Sequence, residues 1–255
     1  MLLVTDVGNT NTAVGIFEGK RLLTDWRLAT DRYRTADEWG QLLCNLLRLQ
    51  KLEPVAISAI AVACVVPPLE SVLERMCRRY FDVEPLFIGR QPAPGIKIVY
   101  DTPADVGADR IANAVAAVAS YGTPCVIIDF GTATTFDAVD ERSQYVGGAI
   151  CPGIGISSTA LFEKAAKLPR VDLVKPEKVI GTNTVGSMQA GLYYGYLELV
   201  RGIVERMRGE LGAEARVIVT GGYARVFAED LGDEVILDHS LTLEGLRLIY
   251  EAEQA

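Results

Sequence analysis

The chain has 255 residues, 49% of them hydrophobic and 23% charged, an ordinary balance for a soluble globular protein. A net charge of −8 argues against a nucleic-acid partner, whose footprint is basic. No apolar run approaches the ~20 residues of a membrane helix; five scattered cysteines form no CxxC pair, and His239 is the only histidine, which sets aside zinc, disulfide and histidine-triad chemistry and leads us to expect a cytoplasmic protein.

Turn residues and alternation predict three antiparallel strands at 2–6, 11–17 and 21–29, with Gly19-Lys20 turning between the last two. A helix is expected over 36–50, with Leu42, Leu43, Leu46, Leu47 and Leu49 as its apolar stripe. A buried strand at 57–65 is followed by Pro67-Pro68, which open a helix reaching Tyr80, and by a short strand at 84–88. The order βββαβαβ differs from a parallel unit that alternates from its start. Residues 89–101, with Pro92, Pro94 and Gly95, read as a linker. Thr102-Pro103-Ala104-Asp105 then reads as a capping box, placing Gly107 inside the helix that carries Ile111, Val115 and Val118.

The second half repeats the opening, with strands near 125–129, 132–139 and 144–151. Pro152-Gly153-Ile154-Gly155 breaks that pattern, and a long helix is expected from Val185 to Gly209. A strand at 216–220 ends on Gly221-Gly222, and Leu241 to Glu253 reads as a closing amphipathic helix. Two halves, 1–115 and 116–255, are expected.

An acidic glycine signature occurs in each half. The first reads Asp6-Val7-Gly8-Asn9-Thr10-Asn11-Thr12-Ala13, the second Asp129-Phe130-Gly131-Thr132-Ala133-Thr134-Thr135. Superposing Asp6 on Asp129 also superposes Gly8 on Gly131 and Thr12 on Thr135. Each follows an apolar strand, so each is a strand, a carboxylate, a glycine turn and a hydroxyl-rich strand. Such a turn offers N–H groups and hydroxyls to phosphate, and its carboxylate can hold a cation. Gly221-Gly222 after a third apolar strand lets a flat ring lie on the backbone, which fits an adenosine site.

Three such elements on a duplicated frame resemble the superfamily of sugar and acetate kinases, actin and heat-shock chaperone ATPases. Together with Gly107-Ala108-Asp109-Arg110 and Gly147-Gly148-Ala149-Ile150-Cys151-Pro152-Gly153, the wording closely resembles type III pantothenate kinases. The resemblance implies an α/β fold of two ribonuclease-H-like, actin-like ATPase halves, each of βββαβα type, with an interdomain cleft. It implies ATP-dependent phosphorylation of pantothenate to 4′-phosphopantothenate, the first step of coenzyme A synthesis. It assigns Asp6, Val7, Gly8, Asn9, Thr10, Asn11, Thr12, Ala13 and Thr132 to ATP, and Asp6 also to magnesium. Tyr100, Gly107, Ala108, Asp109, Arg110 and Thr184 fall to pantothenate, Asp109 being the proton acceptor. Asp129 falls to a monovalent cation, potassium or ammonium, and a homodimer is implied.

The residue types suit that chemistry. Phosphoryl transfer to an alcohol needs phosphate charge neutralised, the hydroxyl held in line and its proton accepted. An aspartate serves as acceptor, and the planar fork of Arg110 suits a carboxylate. Asp137 reads as structural, because Val14 stands at its place in the first copy. Tyr193, Tyr194 and Tyr196 cannot all face one core, so one is expected against another domain or subunit. Arg32, Arg34 and Lys164 read equally as phosphate contacts or solvated charges, and His239 as exposed or capping. Two other functions remain open from the residues: another small-molecule kinase or phosphohydrolase on this frame, and a regulator that binds nucleotide without turnover.

Overall fold

The computed structural model describes residues 1–89 and 94–254; part of the expected linker, including Pro92, lies outside them. β1 (Leu2–Val7), β2 (Asn11–Glu18) and β3 (Arg21–Ala29) form an antiparallel meander. α1 (Ala36–Leu49) starts on Thr35, whose hydroxyl accepts from Glu38 N while the Glu38 carboxylate accepts from Thr35 N at 2.7 Å. This reciprocal cap satisfies two helix-end donors. Leu49, placed on the apolar stripe from the sequence, is instead 77% exposed in the last turn. β4 (Ala59–Cys64) runs parallel to β1. α2 (Pro67–Phe81) opens on the double proline, where missing N–H groups are no loss, and stops at Asp82 in the left-handed region. β5 (Leu86–Phe87) completes a sheet of order β3-β2-β1-β4-β5.

β6 (Lys97–Ile98), a 3-10 turn at Pro103–Asp105 and α3 (Ala108–Tyr121) lead to the second half. There β7 (Cys125–Phe130), β8 (Ala133–Val139) and β9 (Gln144–Pro152) repeat the meander. α4 (Ile154–Lys164), α5 (Thr184–Leu211), β10 (Arg216–Gly221), α6 (Ala224–Leu231), β11 (Val235–Leu237) and α7 (Leu241–Glu253) follow. The second sheet has the order β11-β10-β7-β8-β9-β6. Its β7 is flanked by β8-β9 and by β10-β11, as β1 is flanked by β2-β3 and by β4-β5. The fold is therefore mixed α/β with a duplicated, ribonuclease-H-like topology.

Two compact units result. One holds residues up to Lys97, Asp101–Ala116 and the segment from Ser240 onward; the other holds Ile98–Tyr100 and Ala117–His239. A single division at 115/116 therefore misplaces the closing helix. The reason is local packing in the first unit. Leu3, Val7, Val14 and Ile16 on one sheet face pack with Trp39, Leu43 and Leu47 of α1 and Leu69, Leu73 and Met76 of α2. The opposite face carries Val4, Gly15 and Phe17, and α7 covers it. A Cβ on Gly15 would stand 3.1 Å from Leu243 Cδ1, and the Arg247 guanidinium lies 5.7 Å over the Phe17 ring.

α7 also meets α3 backbone to backbone. A Cβ on Gly245 would fall 2.0 Å from Ala112 O, and Thr242 Oγ1 donates to Asn113 Oδ1 at 2.7 Å. No rotamer relieves an overlap with a carbonyl. Gly245→Ala is therefore expected to lower stability by about 1–3 kcal/mol or more. Urea unfolding checks this, and an unchanged midpoint would contradict the close approach.

In the second unit Val126, Ile128, Phe130, Phe136, Val217 and Val219 form the sheet face that packs with α5 and α6. Phe227 stacks between Phe130 and Tyr193, with centroids 5.1 and 5.2 Å away. The three tyrosines of α5 need no second body. Tyr193 and Tyr196 are buried in this core, the Tyr193 hydroxyl donates to the Asp230 carboxylate, and Tyr196 OH donates to Pro152 O at 2.8 Å. Tyr194 OH donates to Pro176 O at 3.0 Å. The premise that the three cannot all face one core is corrected: all three pack at this core, and their hydroxyls find partners on the loops and on α6.

The supposed capping box at Thr102 makes no side-chain cap and closes only the 3-10 turn. The helix begins at Ala108, and Gly107 stands just before it, its carbonyl accepting from Ile111 N at 3.0 Å.

Candidate active site

In the first unit the chain leaves β1 at Asp6-Val7 and turns through Gly8, Asn9 and Thr10. Gly8 N donates to Asn11 O at 3.0 Å, closing the turn. A Cβ on Gly8 would press Asn11 O at 3.0 Å. Thr30 N donates to Thr10 O at 2.9 Å, and Arg32 Nη2 to Asn9 Oδ1 at 2.9 Å, so the loop after β3 braces the turn. That gives Arg32 a role its sequence did not decide; Arg34 instead lies 4.7 Å over the Trp39 ring. Val7 and Thr12 are fully buried, and Thr12 Oγ1 shares a 2.8 Å hydrogen bond with Thr30 Oγ1. Their side chains are buried, whereas Gly8, Asn9, Thr10 and Asn11 are partly or fully exposed, with Asp6 near the strand end and Ala13 half-buried opposite it. Cys64 ends the neighbouring strand, and burial, with a smaller contribution from the Asp6 charge, pushes its thiol pKa up.

Asp109 occupies the first turn of α3, where a carboxylate is favoured by the helix dipole. Its Oδ1 accepts from Arg110 N at 2.9 Å. A Cβ on Gly107 would lie 2.4 Å from that oxygen, so glycine at 107 leaves room for the carboxylate. Oδ1 is thus engaged by the backbone at the start of the helix. Ala108 is buried against Gly89, and Arg110 is only 8% exposed.

The second unit holds the matching turn, but it is one residue shorter. Gly131 N donates to Ala133 O, two residues on, where Gly8 N reaches Asn11 O, three residues on. Beyond the turn the register therefore slips. Phe130 faces Thr134 as Val7 faces Thr12, and Ile127 faces Asp137 as Val4 faces Gly15. The counterpart of Thr12 is thus Thr134, not Thr135, and that of Asp137 is Gly15, not Val14. A one-residue slip moves every later side chain to the other sheet face, which equal numbering conceals.

Asp129 lies in a glycine cradle. A Cβ on Gly221, at φ +94°, would fall 2.4 Å from its Oδ1 and 2.6 Å from Phe130 N. A Cβ on Gly131 would meet the same oxygen at 3.4 Å. Gly153 is pressed onto the turn in the same way: its N donates to Thr132 O at 3.1 Å, and its Cβ would fall 2.1 Å from that oxygen. Gly155 lies 3.3 Å, by the same measure, from Tyr223 OH, bringing the start of α4 to the Gly221-Gly222-Tyr223 segment. Sequence reading marked 152–155 only as a break; the need for glycine at 153 comes from Thr132, which is distant in sequence. The Asp129 carboxylate is thus held against the backbone of β10 and the glycine turn with no room for a side chain at 221. Among the described residues no three His, Cys, Asp or Glu side chains cluster as a metal site.

Tyr100 lies against β9 in the same unit. A Cβ on Gly147, at φ +132°, would stand 3.6 Å from its ring, and the Tyr145 ring meets it edge-on at 6.4 Å. Thr184 is the first residue of α5. It lines an open hollow of about 690 Å³ with Leu161, Leu168, Ser187 and Gly191, and Tyr100 is not among the lining residues. His239 is exposed and accepts from Arg225 Nε at 2.6 Å.

The family model for type III pantothenate kinases matches residues 2–206. The chain belongs to the type III pantothenate kinase family. A type III pantothenate kinase from Myxococcus xanthus is 52% identical over 255 residues, covering both chains in full. One from Geobacter sulfurreducens is 52% identical over 251 residues, 98% of each chain. Among solved structures, the activator of 2-hydroxyisocaproyl-CoA dehydratase from Clostridium difficile shares the fold at a TM-score of 0.54 and 13% identity, over 99% of this chain and 96% of that one. Membership makes the glycine turns and the Gly107–Arg110 segment parts of a kinase frame. Among the described residues no helix is long and apolar enough to cross a membrane.

Proposed function

We propose that the protein transfers the γ-phosphoryl group of ATP to the primary hydroxyl of pantothenate, giving 4′-phosphopantothenate and ADP, as the entry step of coenzyme A synthesis. The observation that carries this is the full-length identity of 52% to a relative named for that reaction. The site chemistry agrees with it. The attacking hydroxyl forms the new O–P bond, the bond to the β–γ bridging oxygen breaks, and the proton passes to Asp109 Oδ2. Backbone N–H groups of the Gly8–Asn11 turn in one unit, and Thr132 in the other, would each serve phosphate oxygens, and Asp6 would help hold the magnesium that accompanies them. Tyr100, Gly107, Ala108, Arg110 and Thr184 hold pantothenate. Val7, Thr12 and Ala13 shape the ATP turn from behind. Asp129 would hold potassium or ammonium, whose positive charge would offset phosphate charge. The five free thiols suit a reducing cytoplasm.

The test is ADP release from the purified protein with ATP and a panel of alcohols. Pantothenate-dependent release is expected; release with another alcohol alone would favour a different kinase, and none with any would favour a regulator. Replacing potassium by sodium at fixed ionic strength is expected to lower the rate strongly, and Asp129→Ala to abolish that difference. Equal native rates in both salts would remove the cation role.

The homodimer rests on α5. Gly191, Gly195, Gly202 and Gly209 are spaced by 4, 7 and 7 residues, which places them on one helical face, and three of them have open space around a Cβ position on an exposed surface, as does half-buried Gly202. Each costs about 1 kcal/mol against alanine in a helix, a cost that close approach of a second copy offsets. Leu161, Phe162, Ile180 and Val185 are exposed apolar side chains of the same unit, and Leu161 shares the Thr184 hollow with Gly191. Light scattering is expected to give twice 27.6 kDa, and Gly195→Arg to give a folded monomer. A native monomer at working concentration would overturn the dimer.

A further inference from the structure

The structure assigns Asp137 and Tyr145 a positioning role: together they hold the Tyr100 ring in place for the acceptor. This rests on the pantothenate kinase reading above. Asp137 and Tyr145 are both completely buried, and Tyr145 OH donates to Asp137 Oδ1 at 2.6 Å. Thr135 Oγ1 donates to Asp137 Oδ2 at 3.4 Å, and Thr135 is the residue opposite Asp129 across the β7–β8 pair. A buried carboxyl is expensive unless hydrogen bonds hold it, so these donors fix its orientation. The frame itself does not need a carboxyl there. The register counterpart in the first unit is Gly15, where an apolar leucine packs instead.

Tyr145 then grips the Tyr100 segment at two points. Its carbonyl accepts from Val99 N at 2.8 Å, and its ring meets the Tyr100 ring edge-on at 6.4 Å with planes at 60°. Residue 147, whose Cβ would stand 3.6 Å from the Tyr100 ring, is a glycine at φ +132° and adds no side chain there. Tyr100 remains 39% exposed, so one part of it stays open to a ligand while its base is fixed. The hydroxyl–carboxyl bond locks the Tyr145 ring, and the Tyr145 ring sets the angle of Tyr100. A ligand that packs on Tyr100 would therefore feel the loss of the bond as weaker binding, not as slower chemistry.

Steady-state kinetics of the full chain at saturating ATP test this. Tyr145→Phe removes one hydroxyl and keeps the ring. It is expected to raise KM for pantothenate about five- to tenfold, with kcat within about twofold and KM for ATP unchanged. Asp137→Asn keeps an acceptor for the tyrosine and is expected to restore near-native KM, whereas Asp137→Leu is expected to match or exceed Tyr145→Phe. In a Tyr100→Ala background, Tyr145→Phe is expected to add nothing. The role is overturned if Tyr145→Phe lowers the melting temperature but leaves KM for pantothenate unchanged, or if its effect adds fully to that of Tyr100→Ala. It is also overturned if Asp137→Asn removes the potassium response, which would make Asp137 a cation-side group. If the native protein releases no ADP with pantothenate, the functional reading fails first; if it does and the variants behave as native, only the positioning role fails.

Discussion

Asp109→Asn is expected to keep the fold and most ATP binding while lowering kcat by about 10²- to 10⁴-fold, the range for loss of a general base. The geometry makes this variant informative. Oδ1 accepts from Arg110 N at 2.9 Å, and an asparagine carbonyl oxygen can keep that bond and the first turn of α3. The other position then carries an amide, which has no site for the proton of an attacking hydroxyl. Gly107 leaves the space that either side chain needs. Asp6→Asn is expected to act differently, weakening ATP use most at limiting magnesium, since Asp6 is next to last in β1, at the entry to the glycine turn proposed for phosphate. Pre-steady-state and steady-state rates at saturating pantothenate separate the two. A near-native kcat for Asp109→Asn would reduce Asp109 to a binding or helix-start residue.

Much of this arrangement was legible in the chain because it is local. Both meanders, the double-proline start of α2 and the glycine turns after Asp6 and Asp129 follow from alternation and turn chemistry. The Thr35-x-x-Glu38 spacing is equally readable as a helix start, more so than the Thr102 segment, whose proline and aspartate close only a 3-10 turn. What sequence did not show depends on distant neighbours. α4 begins inside a Pro-Gly-Ile-Gly segment because Gly153 must lie on Thr132 O and then starts a helix. The return of α7 to the first unit depends on Gly15 and Gly245 admitting it. The shorter second turn shifts Asp137 out of step with its apparent counterpart, and only strand register shows that. The tyrosines of α5 misled for a related reason: helix periodicity shows which face each occupies but not that loops rise to meet their hydroxyls.

Gly221→Ala is expected to destabilise the second unit strongly. Two causes combine there. The backbone stands at φ +94°, a strained region for any L side chain, at about 1–3 kcal/mol. The added carbon would also fall 2.4 Å from Asp129 Oδ1 and 2.6 and 2.7 Å from Phe130 N and C. Phe130 belongs to a central strand, so it cannot retreat without disturbing β7, and the carboxylate must move instead. A comparison isolates the overlap. Gly232 has φ +111° but nothing within 4 Å of its Cβ position, so Gly232→Ala carries strain alone. Gly232→Ala is expected to lose about 1–2 kcal/mol with native kinetics. Gly221→Ala is expected to lose roughly 2–5 kcal/mol, with a raised KM for ATP and a blunted response to potassium. Urea unfolding and potassium titration of the rate measure both variants. Equal stability losses, with native ATP and potassium behaviour in Gly221→Ala, would mean that β10 can shift away from β7 and that the cradle around Asp129 does not need glycine.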